Sequence, residues 1–284
     1  MPDTPPKKWL LVTLKVGVYA LFQLLCLIFF GQLLMPLGGY LVAAGISVFL
    51  AAAVGNSLAM RIYERGRLAD IGLTWNPASV RNLVVGLAGG AGAASLVLGG
   101  PLLLGVAELQ TIPNGDAHWR TFLFVSMILL FGAAGEEMFF RGYGFQVLLR
   151  ILGPFATILP VSALFALAHA ENQHVSTLGL VNTMGWGILL GYAFLLSGDL
   201  WLPIGLHFGW NWTLPLFGVN LSGFTMTMTG YAMHWKTGPL WSGGEYGPEA
   251  GILTCGILFV LFFYLRKAPI RPQTPFLLRP LPEE

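Results

Sequence analysis

The sequence predicts an all-α fold, a polytopic membrane helix bundle of about eight transmembrane helices with both termini cytoplasmic, and three observations carry that prediction. First, 55% of the 284 residues are apolar and only 10% are charged, with a mean hydropathy of +0.71, a composition outside that of soluble domains. Second, apolar runs long enough for ~30 Å of hydrocarbon recur at roughly 9–35, 37–60, 83–106, 119–149, 155–169, 178–197, 201–219 and 250–265. Third, the basic residues are segregated. Under that count Lys7, Lys8, Arg61, Arg65, Arg67, Arg81, Arg150, Arg266, Lys267, Arg271 and Arg279 fall on one side and only Arg120 and Lys236 on the other. Lys and Arg concentrate in cytoplasmic loops, which places the termini inside. The opposite side carries Glu108, Asp116, Glu171, Glu245 and Glu249.

The first apolar run, behind Lys7 and Lys8, is longer than the core of a cleavable signal and reads as a retained span. The first two spans hold few polar residues (Lys15, Gln23, Gln32, Asn56) and read as scaffold, with Lys15 within reach of the interface. Residues 61–81 form the longest cytoplasmic connection and lie at the headgroup surface. The third span, rich in glycine from Gly86 to Gly100, suits close helix contacts. Residues 219–250 make a long outer loop, read as a lid or a re-entrant cover. The proline-rich tail from Arg266 onward is expected to be mobile. Cys26 and Cys255 both fall inside apolar spans and imply no disulfide framework. The whole, 1–284, reads as one integral-membrane domain with a motif-bearing core at 119–219, in a bacterial inner (plasma) membrane, with the lipid bilayer rather than nucleic acid as its surroundings.

The fourth span contains Phe131-Gly-Ala-Ala-Gly-Glu-Glu-Met-Phe-Phe-Arg141, two carboxylates and a guanidinium within an apolar helix. Each ionisable group at mid-membrane costs roughly 2.5–3.5 kcal/mol on insertion scales, which marks the stretch as functional. Glu137 and Arg141 are four apart and share a face, while Glu136 turns about 100° away. Two further polar sets come from other spans: Phe165 with His169 at the end of the fifth, and His207 with Asn211 in the seventh. Counted at about 1.5 Å per residue from the cytoplasmic ends, Glu136 and His169 lie ~21 Å deep and Asn211 ~15 Å, so one cavity can hold all three sets. His118 and His234 fall in loops, and His174 at an interface.

This ordered set, Glu136-Glu137-x-x-x-Arg141, Phe165-x-x-x-His169, His207-x-x-x-Asn211, resembles the CAAX protease and bacteriocin-processing family, also called the Abi or type II CAAX prenyl endopeptidase family. The resemblance covers 119 to about 219. Residues 243–249 are similar to segments of its bacterial branch, and Asp70-Ile-Gly-Leu73 is also like the family's pattern. It implies an intramembrane glutamate endopeptidase that hydrolyses a peptide bond of a peptide or protein substrate near or within the membrane. Glu136 and His169 would activate a water, His207 and Asn211 would form the oxyanion site, and Glu137, Arg141 and Phe165 would orient the set, with no cofactor. The residues alone are consistent with this, because amide hydrolysis needs an activated nucleophile and donors aimed at the developing oxyanion. Two alternatives stay open: a zinc-dependent version using the same two histidines and a glutamate, and a membrane peptide-binding, immunity or transport protein that cuts nothing. The substrate, the recognition of a prenyl group and the oligomeric state are not readable from these motifs.

Overall fold

The structure, a computed structural model, describes residues 5–112 and 118–279. Asp116, Pro280 and Pro282 lie outside them. Helices dominate: α1 (Pro5–Ala59), α2 (Pro77–Leu103), α3 (Trp119–Arg141), α4 (Tyr143–Leu152), α5 (Pro154–Ala168), α6 (Thr177–Ser197), α7 (Trp201–Leu216), the short α8 (Pro239–Ser242) and α9 (Ile252–Lys267). Four stretches are long and apolar enough to cross a membrane: Trp9–Glu64, Pro77–Leu103, Trp119–Leu152 and Thr177–Ser197. The exposed outer surface is correspondingly greasy, with Leu21, Phe29, Leu103, Phe155 and Phe259 among the large apolar side chains left uncovered.

The first stretch is a hairpin of two antiparallel helices. Pro36 interrupts the backbone ladder and Gly39 leaves the helix at φ 71°, ψ −173°, a conformation open to glycine at little cost. Residues from the two arms then face each other: the Tyr19 hydroxyl donates to Asn56 Oδ1 at 3.2 Å, and Lys15 Nζ pairs with Glu64 at 2.7 Å. Lys15 therefore serves an interhelical ion pair rather than merely reaching for water.

Two further departures from the sequence expectation have local causes. The fourth run is not one helix; it breaks at Gly142, where Asn56 Oδ1 accepts from Tyr143 N at 2.7 Å. A Cβ at Gly142 would collide with Met138 O and Asn56 Oδ1. A two-stranded antiparallel sheet also joins β1 (Ala107–Thr111) to β2 (Tyr231–Trp235), with Leu109 opposite Met233.

The bundle has two distinct ends. At one, the basic connections interlock: Leu200 N donates to Gly72 O, Gln273 N to Ser197 O, Gln146 Nε2 to Ile71 O and Arg81 Nε to Pro269 O. The tail is thus tied down through residue 278, contrary to its expected mobility. At the other end lie the β1–β2 sheet, the Tyr40–Phe224 stack and the His174–Glu245 pair at 2.9 Å. Between them α2 and α7 run side by side in the most extensive interface of the bundle. They can approach because Gly86 and Gly90 put no side chain between their backbones: a Cβ there would strike Leu202 O or Leu206 O.

Candidate active site

The polar groups of three helices meet at mid-bundle. The last turns of α3 press against α1 at Gly135, where a Cβ would fall on the Phe49 backbone, and this close approach fixes which faces Glu136 and Glu137 present. Glu137 is fully buried. Its Oε1 takes His207 Nδ1 at 2.8 Å and Arg141 Nη1 at 3.3 Å. Arg141, also fully buried, donates through Nη2 to Gly187 O of α6 at 3.0 Å and lies over the Phe165 ring at 4.8 Å. A buried charge left without partners is costly, and this pair is partnered from α6 and α7 as well as from its own helix.

Glu136 is the other kind of carboxylate. Its side chain is 27% exposed and its Oε2 stands 3.9 Å from His169 Nε2 and 3.9 Å from His207 Nε2. These distances exceed a hydrogen bond but are short enough for one small polar molecule to touch both partners. The far side of each imidazole is anchored. His169 Nδ1 lies 2.8 Å from Phe165 O; a carbonyl only accepts, so Nδ1 carries the hydrogen and the neutral ring offers its Nε2 lone pair toward Glu136. His207 Nδ1 likewise donates to the Glu137 carboxylate, leaving Nε2 toward the same point. Phe165 packs against both rings, its centroid 4.8 Å from His169 in a tilted contact and 6.2 Å from His207 edge-on.

Glu136, His169, His207 and Asn211 all line one cavity of about 890 Å³. All seven residues singled out in the sequence are therefore at or directly behind it. His174 and His234 are not: the first pairs with Glu245 at the surface, and the second lies on β2 opposite Glu108. His118 immediately precedes α3. Among the described residues no three His, Cys, Asp or Glu side chains are arranged to hold a metal ion.

The sequence reading missed part of this cavity. Both arms of α1, read as scaffold, supply wall residues, among them Val16, Tyr19, Leu24, Tyr40 and Ala44. Glu249, a second carboxylate lining the cavity beside Glu136, comes from the outer loop. Its Oε2 accepts from Ser222 N at 2.6 Å and Ser222 Oγ at 2.8 Å, and Oε1 from Trp210 Nε1 at 3.3 Å. Burial pushes its carboxyl above the usual range, against the pull of these donors. The available signal was an acid between Gly-Pro and an apolar span in the stretch 243–249.

Residues 118–213 match a family model described as Type II CAAX prenyl endopeptidase Rce1-like. The motif core thus carries the endopeptidase-family signature that its spacing suggested. The match spans about a third of the chain, begins at the residue before α3 and ends just past Asn211. The matched segment therefore contains the seven site residues from Glu136 to Asn211 but not the α1 hairpin, the 70–73 stretch or the loop that supplies Glu249. No curated protein and no solved structure matched the chain.

Proposed function

We propose that the protein is an intramembrane glutamate-type endopeptidase. The observation that carries the proposal is the placing of Glu136 Oε2 at 3.9 Å from two imidazole nitrogens whose other nitrogens are each fixed by an acceptor. A water held between Glu136 and His169 would lose its proton to this pair as it attacks the scissile carbonyl. The tetrahedral oxygen would be met by His207 Nε2–H and the Asn211 amide from consecutive turns of α7. Glu137, itself held by Arg141, supports the positive charge that His207 carries while it donates. Collapse of the intermediate returns the proton from the Glu136–His169 pair to the departing amine. Counting the α1 arms separately and leaving out α4 and α8, the bundle has eight helices. Their connections gather in turn at the end tied by Gly72, Ser197 and Gln273 and at the end bearing the β1–β2 sheet, which supports eight spans with the first and last starting and finishing on the arginine-rich side, the cytoplasmic one by the positive-inside rule.

The deciding comparison is of membranes bearing the wild-type chain or Glu136→Gln at equal abundance. Peptides released by the former should be absent with the latter, since removing a general base typically costs 10²–10⁴-fold in rate, about what separates signal from background. A biological effect of the protein that survives both Glu136→Gln and His169→Ala would instead favour a protein that binds peptide without cutting it. Cleavage abolished by a tight chelator and restored by zinc would replace the metal-independent scheme.

A further inference from the structure

The cavity reaches the loops at one end of the bundle and is walled by helices toward the other. Asn172, Ser222 and Glu249 line it on the side of the 217–251 connection, next to Asn211. That connection also contributes Leu221, Phe224 and Met226 to the wall. By contrast, among the described residues none from the basic connections 60–76, 197–200 or 266–279 borders the cavity. The wall on that side is built by Val16, Tyr19, Ala20, Gln23, Leu24 and Phe145, with Gln23 Nε2 donating to the Tyr19 hydroxyl at 2.6 Å and that hydroxyl to Asn56 Oδ1 at 3.2 Å.

The polar end is a fixed structure. Glu249 cinches the start of the connection, through Ser222, and its own end onto Trp210, the residue before Asn211. Asn182 Nδ2 fastens the same corner by donating to Glu249 O at 2.7 Å and Gly251 O at 3.1 Å. An entering polypeptide carries an N–H and a C=O at nearly every residue, each costly to desolvate without a partner. On the 217–251 side Asn172 and Asn211 can receive them, whereas the polar groups of the opposite wall, Tyr19 and Gln23, are buried and bonded to each other inside the α1 hairpin.

We infer that the cavity admits its substrate from the face opposite the arginine-rich one, so that the polypeptides it cleaves are those presented at the outer surface or in the outer leaflet, and not cytoplasmic chain ends. The inference rests on the hydrolytic reading for the word "cleaves", but the route of entry can be measured without turnover. In a full-length background carrying Cys26→Ala and Cys255→Ser, single cysteines are introduced as Asn211→Cys within the site, Asn172→Cys at its mouth, Tyr231→Cys on β2 and Lys267→Cys at the end of α9. Sealed right-side-out vesicles are treated with a membrane-impermeant sulfonated maleimide before and after permeabilisation.

The expected result is labelling of Asn211→Cys, Asn172→Cys and Tyr231→Cys in sealed vesicles, with Lys267→Cys labelled only once the vesicles are opened. Two cavity positions are used so that misfolding of one variant leaves the other to decide. Labelling of the cavity cysteines only after permeabilisation, or labelling of Lys267→Cys from outside, overturns the inference. A chain that labels from outside while its membranes release the same peptides as those of Glu136→Gln would sink the hydrolytic reading and leave the outer opening standing.

Discussion

Adjacent glutamates with opposite surroundings are the centre of this protein, and they predict different mutant behaviour. Glu137 is enclosed and satisfies Arg141 and His207 together. Glu137→Ala strands a buried guanidinium, and breaking such a pair typically costs about 3–5 kcal/mol. The amide of Glu137→Gln still accepts from His207 Nδ1 but no longer opposes the positive ring. Unfolding temperature in detergent should therefore fall sharply for the alanine variant and much less for the glutamine one, while peptide release should be lost in both. Retention of full cleavage by Glu137→Gln would remove the role assigned to His207 as a charged donor. The division of labour was legible from the offset of about 100° between neighbours on a helix. What the offset left open was the partner: Glu137 was expected to serve Arg141, four residues on, whereas its shortest contact is to His207, 70 residues away.

The helices show how far pattern reading extends and where it stops. Glycine abundance in α2 correctly signals close packing, but six glycines look alike in sequence and only some touch anything. Gly90 faces the Leu206 carbonyl across the α2–α7 interface, whereas Gly92 meets nothing. Gly92→Ala should thus leave stability unchanged or raise it by up to about 1 kcal/mol through helix propensity. Gly90→Ala must push α7 away, moving His207 and Asn211, and a displacement near 1 Å at a reacting centre can lower the rate by about 10²-fold. Thermal unfolding and peptide release measured on both variants check this pair; equal behaviour would mean that the α2–α7 approach does not set the site. The break at Gly142 was illegible for a related reason. It is decided by Asn56, which donates to Met138 O at 3.0 Å and accepts from Tyr143 N, so a polar residue that looked incidental in a scaffold span shapes the motif helix from outside its own sequence neighbourhood. The α1 hairpin, by contrast, was readable because Pro36 and Gly39 act locally.

The arginine-rich end of the bundle is closed by a polar knot around Asn82, Asp199 and Gln273, and composition was misleading there. Prolines in the tail suggested mobility, yet Asn82 holds the backbone of Arg271 from both sides, accepting its N–H at 2.8 Å and donating to its carbonyl at 2.9 Å. Asn82 also donates to Asp199 Oδ2 at 2.7 Å, the oxygen that receives Gln273 Nε2 as well. Because the tail binds through side chains of α2 and the α6–α7 turn, no periodicity in its own sequence could announce it. The Arg271 N–H should exchange slowly with solvent deuterium in the wild-type chain, where Asn82 accepts it, and faster in Asn82→Ala and Asp199→Ala, where buried donors and acceptors lose partners worth roughly 1–3 kcal/mol each. Burial holds the Asp199 carboxyl above its ordinary value of 3.8, outweighing the donors that pull it down. With the folded value raised, the native state binds the proton more tightly than the unfolded chain does. The associated stability is complete below pH 3.8 and is lost as pH rises through the raised value. The difference in unfolding temperature between the wild type and Asp199→Asn should consequently shift against the wild type as pH climbs from below that point and level off above the raised value; a difference that does not vary with pH would show that Asp199 titrates as it does in the unfolded chain, and that the knot closes without it.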